Sequence, residues 1–163
     1  MFGLTGKQTR QEIAAHELGH AVVAMELGLK PKGVWMLTAP EGEPHGGTAV
    51  EASGVEGAAV LAAGAIAGEH WLRTRGLDRH VSRADMTYVA QGDEERIARL
   101  GLTPAQEEEA RDQAARLLDR AWSRVEAGID PLVERAHLGQ RDLARLGRSG
   151  GGLRRAVGFI TGR

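Results

Sequence analysis

Thr9-Arg10-Gln11-Glu12-Ile13-Ala14-Ala15-His16-Glu17-Leu18-Gly19-His20-Ala21-Val22-Val23-Ala24-Met25-Glu26-Leu27-Gly28 is the stretch from which the rest of the chain is read. Thr9 is a natural N-cap, Glu12 three residues later completes a capping box, and Gly28 suits the position just past a helix end. A helix is therefore expected from about Arg10 to Leu27. Between Ile13 and Met25 every residue except His16, Glu17 and His20 is apolar or glycine. Such a helix is buried on most sides, and two imidazoles and a carboxylate within it are costly without partners. His16 and His20, four apart, share one helix face and can converge on one ion, while Glu17, one step round, can reach a water beside it. Imidazole nitrogens suit zinc, and a catalytic zinc site keeps one position for water. The metal would acidify that water, and Glu17 would accept its proton as it attacks a peptide carbonyl. With six His and 15 Glu in 163 residues, chance yields roughly 0.02 copies of His-Glu-x-x-His. The apolar surroundings add to what the bare pattern says.

Composition limits the alternatives. A chain of 163 residues suits one domain with its own core. Its 21 basic and 22 acidic residues nearly cancel, so no global field favours nucleic acid or an anionic membrane. The absence of cysteine excludes disulfides, thiolate ligands and a cysteine nucleophile. Met1 to Arg10 lacks the apolar core of a signal peptide, and no run reaches the ~18 apolar residues of a membrane span. The expectation is a cytoplasmic protein with no membrane span.

Beyond the motif helix, Gly33 to Thr38 and Gly47 to Glu51 read as a strand pair around a Pro- and Gly-rich loop that holds His45. Gly54 to about Thr74 reads as a tightly packed helix rich in Ala and Gly, ending near Gly76. Ser82 can cap a helix running to about Leu100, where Gly101 stops it. Thr103-Pro104-Ala105-Gln106 combines an N-cap, a proline at the first helical position and a capping-box glutamine. Asp130-Pro131 is expected to open a last helix to about Leu146. Residues 1–147 are read as the domain, and 148–163, with four Arg and no acid, as a flexible basic tail.

Two histidines need a third ligand. Asp85, Glu69, Asp78, His80, His70 and His45 are the candidates. Asp85 lies near the start of its helix, where it could instead bond backbone amides as a cap. Glu69 follows the small-residue helix and could be a buried carboxylate drawn to the metal, or a group that orients a histidine. An extended substrate would pair with an exposed strand edge beside the motif helix, and Val34 to Thr38 is the candidate edge.

His16-Glu17-Leu18-Gly19-His20-Ala21-Val22-Val23-Ala24 resembles the zinc motif of the FtsH-type (M41) peptidase domain, and similar segments follow in the same order. Val34-Trp35-Met36-Leu37 stands in the place of that family's next strand. Gly64-Ala65-Ile66-Ala67-Gly68-Glu69 is similar to its glycine-rich segment, with Ile66 where arginine is usual. Ser82-Arg83-Ala84-Asp85-Met86 is similar to its Ser-Asn-Asp-Leu segment, with one more residue between serine and aspartate. Leu132-Val133-Glu134-Arg135-Ala136-His137-Leu138 is similar to its penultimate helix. The resemblance covers about residues 10 to 146. It implies an α+β, mostly α-helical, zincin-like fold with a small β-hairpin or sheet beside the HExxH helix, and Asp85 as the third zinc ligand.

It also implies a zinc-dependent endopeptidase with protein or peptide substrates. No Gly-x-x-x-x-Gly-Lys-Ser/Thr loop occurs in these 163 residues, and the chain is expected to act without the family's ATPase domain and membrane anchor. The expected activity is therefore ATP-independent and confined to flexible or unfolded segments. The alternative is a catalytically idle, zinc-stabilised interaction module, or the peptidase subunit of a separate ATPase. Homo-oligomers are left open, because the ATPase domains of ring-forming relatives contribute to their rings.

Overall fold

In the computed structural model, residues 3–37, 45–81 and 83–149 are described, the side chains of 83–89 and 147–149 excepted. The motif helix α1 spans Gly6–Glu26. It starts one turn before the expected Thr9. Thr5 is the N-cap: its hydroxyl accepts from the Gln8 amide at 3.2 Å, and the Gln8 side chain accepts from the Thr5 amide at 2.9 Å. The upstream box prevails because it adds a turn of backbone bonds and leaves Glu12 free to turn inward. Gly28, at φ +79, ends α1 as its type suggests.

β1 (Gly33–Leu37) and β2 (His45–Ala49) are antiparallel, with Trp35 opposite Gly47 and Leu37 opposite His45. α2 spans Gly54–Thr74, as its sequence predicts, and α3 spans Arg83–Arg99. α4 opens on the expected Thr103–Gln106 box and runs Pro104–Arg135.

The expected break at Asp130-Pro131 is corrected, since α4 continues through Pro131. An interior proline costs ~3 kcal/mol. Burial of the neighbouring Ile129 and Leu132 returns about 1.5–3 kcal/mol each, which offsets it. The helix stops instead at Ala136, left-handed at φ 60, whose carbonyl accepts from the Met36 amide at 2.8 Å. That reversal creates β3 (His137–Gly139), paired antiparallel to β1, where the sequence suggests helix. α5 (Gln140–Ser149) follows, with Asp142 accepting from the Gly139 amide at 3.0 Å. The fold is α+β and mostly helical, with a three-stranded antiparallel sheet in the order β2-β1-β3.

α1 lies in the middle, packed on α2, α4 and the sheet, and Ile13 through Ala24 are buried. Its crossing with α2 is close because both helices present small residues. A Cβ at Gly19 would lie 2.5 Å from Ala67 Cβ and 2.7 Å from the Ala63 carbonyl oxygen. This contact brings the α2 backbone against the two histidines. The expected tail falls almost wholly outside the described residues, and the loop between β1 and β2, residues 38–44, falls wholly outside them. No helix among the described residues is long and apolar enough to cross a membrane.

Candidate metal centre

His16 and His20 project from the α2-facing side of α1, 4% and 6% exposed. Their Nε2 atoms are 3.1 Å apart. Asp93 of α3 completes the group, its Oδ2 3.0 Å from His16 Nε2 and 3.1 Å from His20 Nε2. These three are the only cluster of His and carboxylate groups fit to hold a metal among the described residues. A tetrahedral zinc with bonds of about 2.0–2.2 Å separates its ligand atoms by roughly 3.3–3.6 Å. The triangle is therefore close to the required size.

The hydrogen bonding of His20 sharpens this. Its Nδ1 is 2.6 Å from the Val60 carbonyl oxygen, which can only accept, so Nδ1 carries a proton. In the neutral ring, Nε2 then presents a lone pair to the Asp93 carboxylate. Two acceptors at that distance repel unless a proton or a metal ion lies between them. Burial works to lower the His20 pKa, but the hydrogen bond and charge of Asp93, the charge of Glu17 and the Val60 carbonyl outweigh it and raise it. Burial likewise pushes Asp93 up, and the hydrogen bonds and charges of both histidines overcome it, holding the carboxyl well below its ordinary value. The site is electrostatically built for a positive charge.

Room for that charge comes from Gly64. A Cβ there would lie 2.4 Å from His20 Nε2 and 2.6 Å from His16 Nε2, in the space on which the two nitrogens converge. Glu12, one turn before His16, packs against Gly68, where a Cβ would come within 2.8 Å of Oε1. Burial pushes its carboxyl up, partly countered by His16. Its place is beside the site, in contrast to the helix-start role its sequence suggests.

Glu17, 8% exposed, turns toward β2. The Thr48 hydroxyl lies 2.9 Å from its Oε2 and 2.8 Å from its carbonyl oxygen, and donates its one proton to either. Gly46 makes this contact feasible, since a Cβ there would lie 2.6 Å from Glu17 Cγ. Glu17, His20, Asp93, Thr48, Val60 and Arg96 line one cavity of about 140 Å³.

The other proposed ligands whose side chains are described lie elsewhere. Glu69 is exposed and pairs with Arg73 at 3.4 Å, so it is neither the ligand nor a buried support. His70 packs edge-on against Trp122 with ring centroids 4.2 Å apart. Asp78 and His80 belong to a short 3-10 turn, and His45 begins β2 on its exposed face rather than sitting in the loop. The Asp85 side chain lies outside the described residues; its backbone is in the first turn of α3.

The sequence reading missed Asp93. Its signal was present: Asp93, Ile97 and Leu100 fall at i, i+4 and i+7, so the aspartate heads an apolar stripe instead of sharing the solvated face of Glu94 and Glu95. The substrate edge is also corrected. β1 is the central strand, paired on both sides, and β2 is the edge strand, with Gly46, Gly47 and Thr48 lining the cavity. Comparison with protein-family models finds no match, and comparison with curated proteins finds none either.

Proposed function

We propose that the chain is a zinc-dependent peptidase, resembling the FtsH-type domain, with His16, His20 and Asp93 as metal ligands and Glu17 as general base. The observation that carries this reading is the convergence of His16 Nε2, His20 Nε2 and Asp93 Oδ2 within hydrogen-bond distance of one another, with His20 and Asp93 lining the same cavity as Glu17. A zinc ion held there would supply Lewis acidity and lower the pKa of water. The Val60 carbonyl keeps His20 in the tautomer whose Nε2 faces the site. Thr48 holds the Glu17 carboxylate against β2. From that position Glu17 accepts the proton of the attacking water on a carboxylate oxygen and returns it to the departing amine. The outer edge of β2, which pairs with no further strand among the described residues, offers backbone groups to an extended peptide, which suits flexible or unfolded segments cut without ATP.

The test is Glu17→Gln in the zinc-loaded protein. One equivalent of zinc should be retained, and cleavage of an unfolded casein-type substrate in the absence of ATP should fall by at least ~100-fold. Cleavage at the wild-type rate in this variant would remove Glu17 from the mechanism. Wild-type cleavage that required an added ATPase would favour the subunit role instead. Zinc binding without any cleavage would favour the interaction module.

A further inference from the structure

The cavity beside Glu17 and His20 is not uniformly polar. Val50, Ala52, Val60 and Leu61 form apolar wall, and Arg96 is the cation on its rim. Arg96 lies three residues after Asp93, on the same side of α3. Its acidic neighbours are engaged elsewhere: Glu94 holds Arg111 through two contacts of 2.9 and 2.7 Å, and Glu95 pairs with Arg99 at 3.8 Å. Asp93 is committed to the two histidines. The Arg96 guanidinium thus has no hydrogen-bond or ion-pair partner among the described residues, while it borders the space beside the candidate base. A guanidinium offers a planar fork of donors that fits a carboxylate through two bonds. Arg96 is exposed, so such a pair is partly screened by water and its contribution is modest.

Resting on the peptidase reading above, we propose that Arg96 selects substrates carrying a carboxylate next to the bond that is cut. The carboxylate can come from an acidic side chain or from a free chain terminus. The cavity's apolar walls would take the methylene groups of the same residue, and the charge would meet Arg96 at the rim.

The test uses the zinc-loaded full chain and peptide pairs cleaved at one bond. One series has blocked ends and carries Glu or Gln at each position flanking the bond. A second series carries a free or amidated C-terminus beside it. The expected result is a ratio of kcat/KM, carboxylate over neutral, of roughly fivefold or more in one series, which also identifies the source. Arg96→Gln should bring that ratio close to one, Arg96→Lys should keep its direction, and Arg96→Glu should invert it in favour of a Lys-bearing peptide. Cleavage with no carboxylate preference, or a preference unchanged in Arg96→Gln, would overturn the inference and leave the peptidase reading standing. No cleavage of any peptide would remove both.

Discussion

At the residue scale, the choice of third ligand divides the resemblance from the geometry. The resemblance points to Asp85, whereas Asp93 lies 3.0 and 3.1 Å from the two imidazoles. Eight residues along a helix amount to ~12 Å of rise, so the backbone of residue 85 lies more than two turns of α3 from that of Asp93. Asp93→Ala should therefore weaken zinc binding by more than ~100-fold, beyond the range typical of supporting groups. Asp85→Ala should leave the affinity within roughly twofold. Zinc titration of both variants against a chromophoric chelator checks this, and the opposite ranking would return the ligand role to Asp85. His16, Glu17 and His20 were legible because local spacing alone sets their common helix. Asp93 was legible only as the head of an apolar stripe, because which surface that stripe meets depends on how α3 is rotated against its neighbours.

At the scale of elements, the site depends on the close approach of α1 and α2. Gly64 is the point where a methyl group would enter the space between the imidazole tips. Alanine favours a helix over glycine by ~1 kcal/mol, so Gly64→Ala does not weaken α2 as a helix. It should nevertheless lower zinc affinity at least ~10-fold while far-UV circular dichroism stays unchanged. Equal zinc binding in the variant would show that the metal position is not the one described. The sheet illustrates the reverse case, where elements were foreseen but their order was not. The β1–β2 hairpin follows from nearby residues, whereas β3 comes from a segment about a hundred positions away. Its pairing turns β1 into the central strand and leaves β2, beside Glu17, as the edge.

At the scale of the whole molecule, pH links folding to the candidate metal centre. Without metal, the depressed Asp93 contributes stability that is present above the ordinary carboxylate value of 3.8 and lost as pH falls through its folded value. The raised His20 contributes stability that is complete below 6.5 and lost as pH rises through its folded value. Zinc requires the neutral imidazole, so protons compete with it at low pH. The zinc-induced rise in Tm should therefore grow between about pH 5.5 and 7.5 at fixed free metal. Thermal melts with zinc and with chelator measure it, and a rise that is flat or shrinks over this interval would argue against these histidines as ligands.

The sequence by itself determined the buried motif helix, its two histidines and carboxylate, the small-residue helix α2 and the capped start of α4. All of these rest on contacts or periodicities within a few turns of chain, which residue types encode directly. Tertiary structure decided that Asp93 faces the histidines, that Glu69 faces solvent, that α4 runs through Pro131 and that β2 forms the sheet edge. Each of those depends on which distant surface an element meets: a carboxylate's partner, a proline's cost and a strand's free side are settled by burial against the rest of the fold.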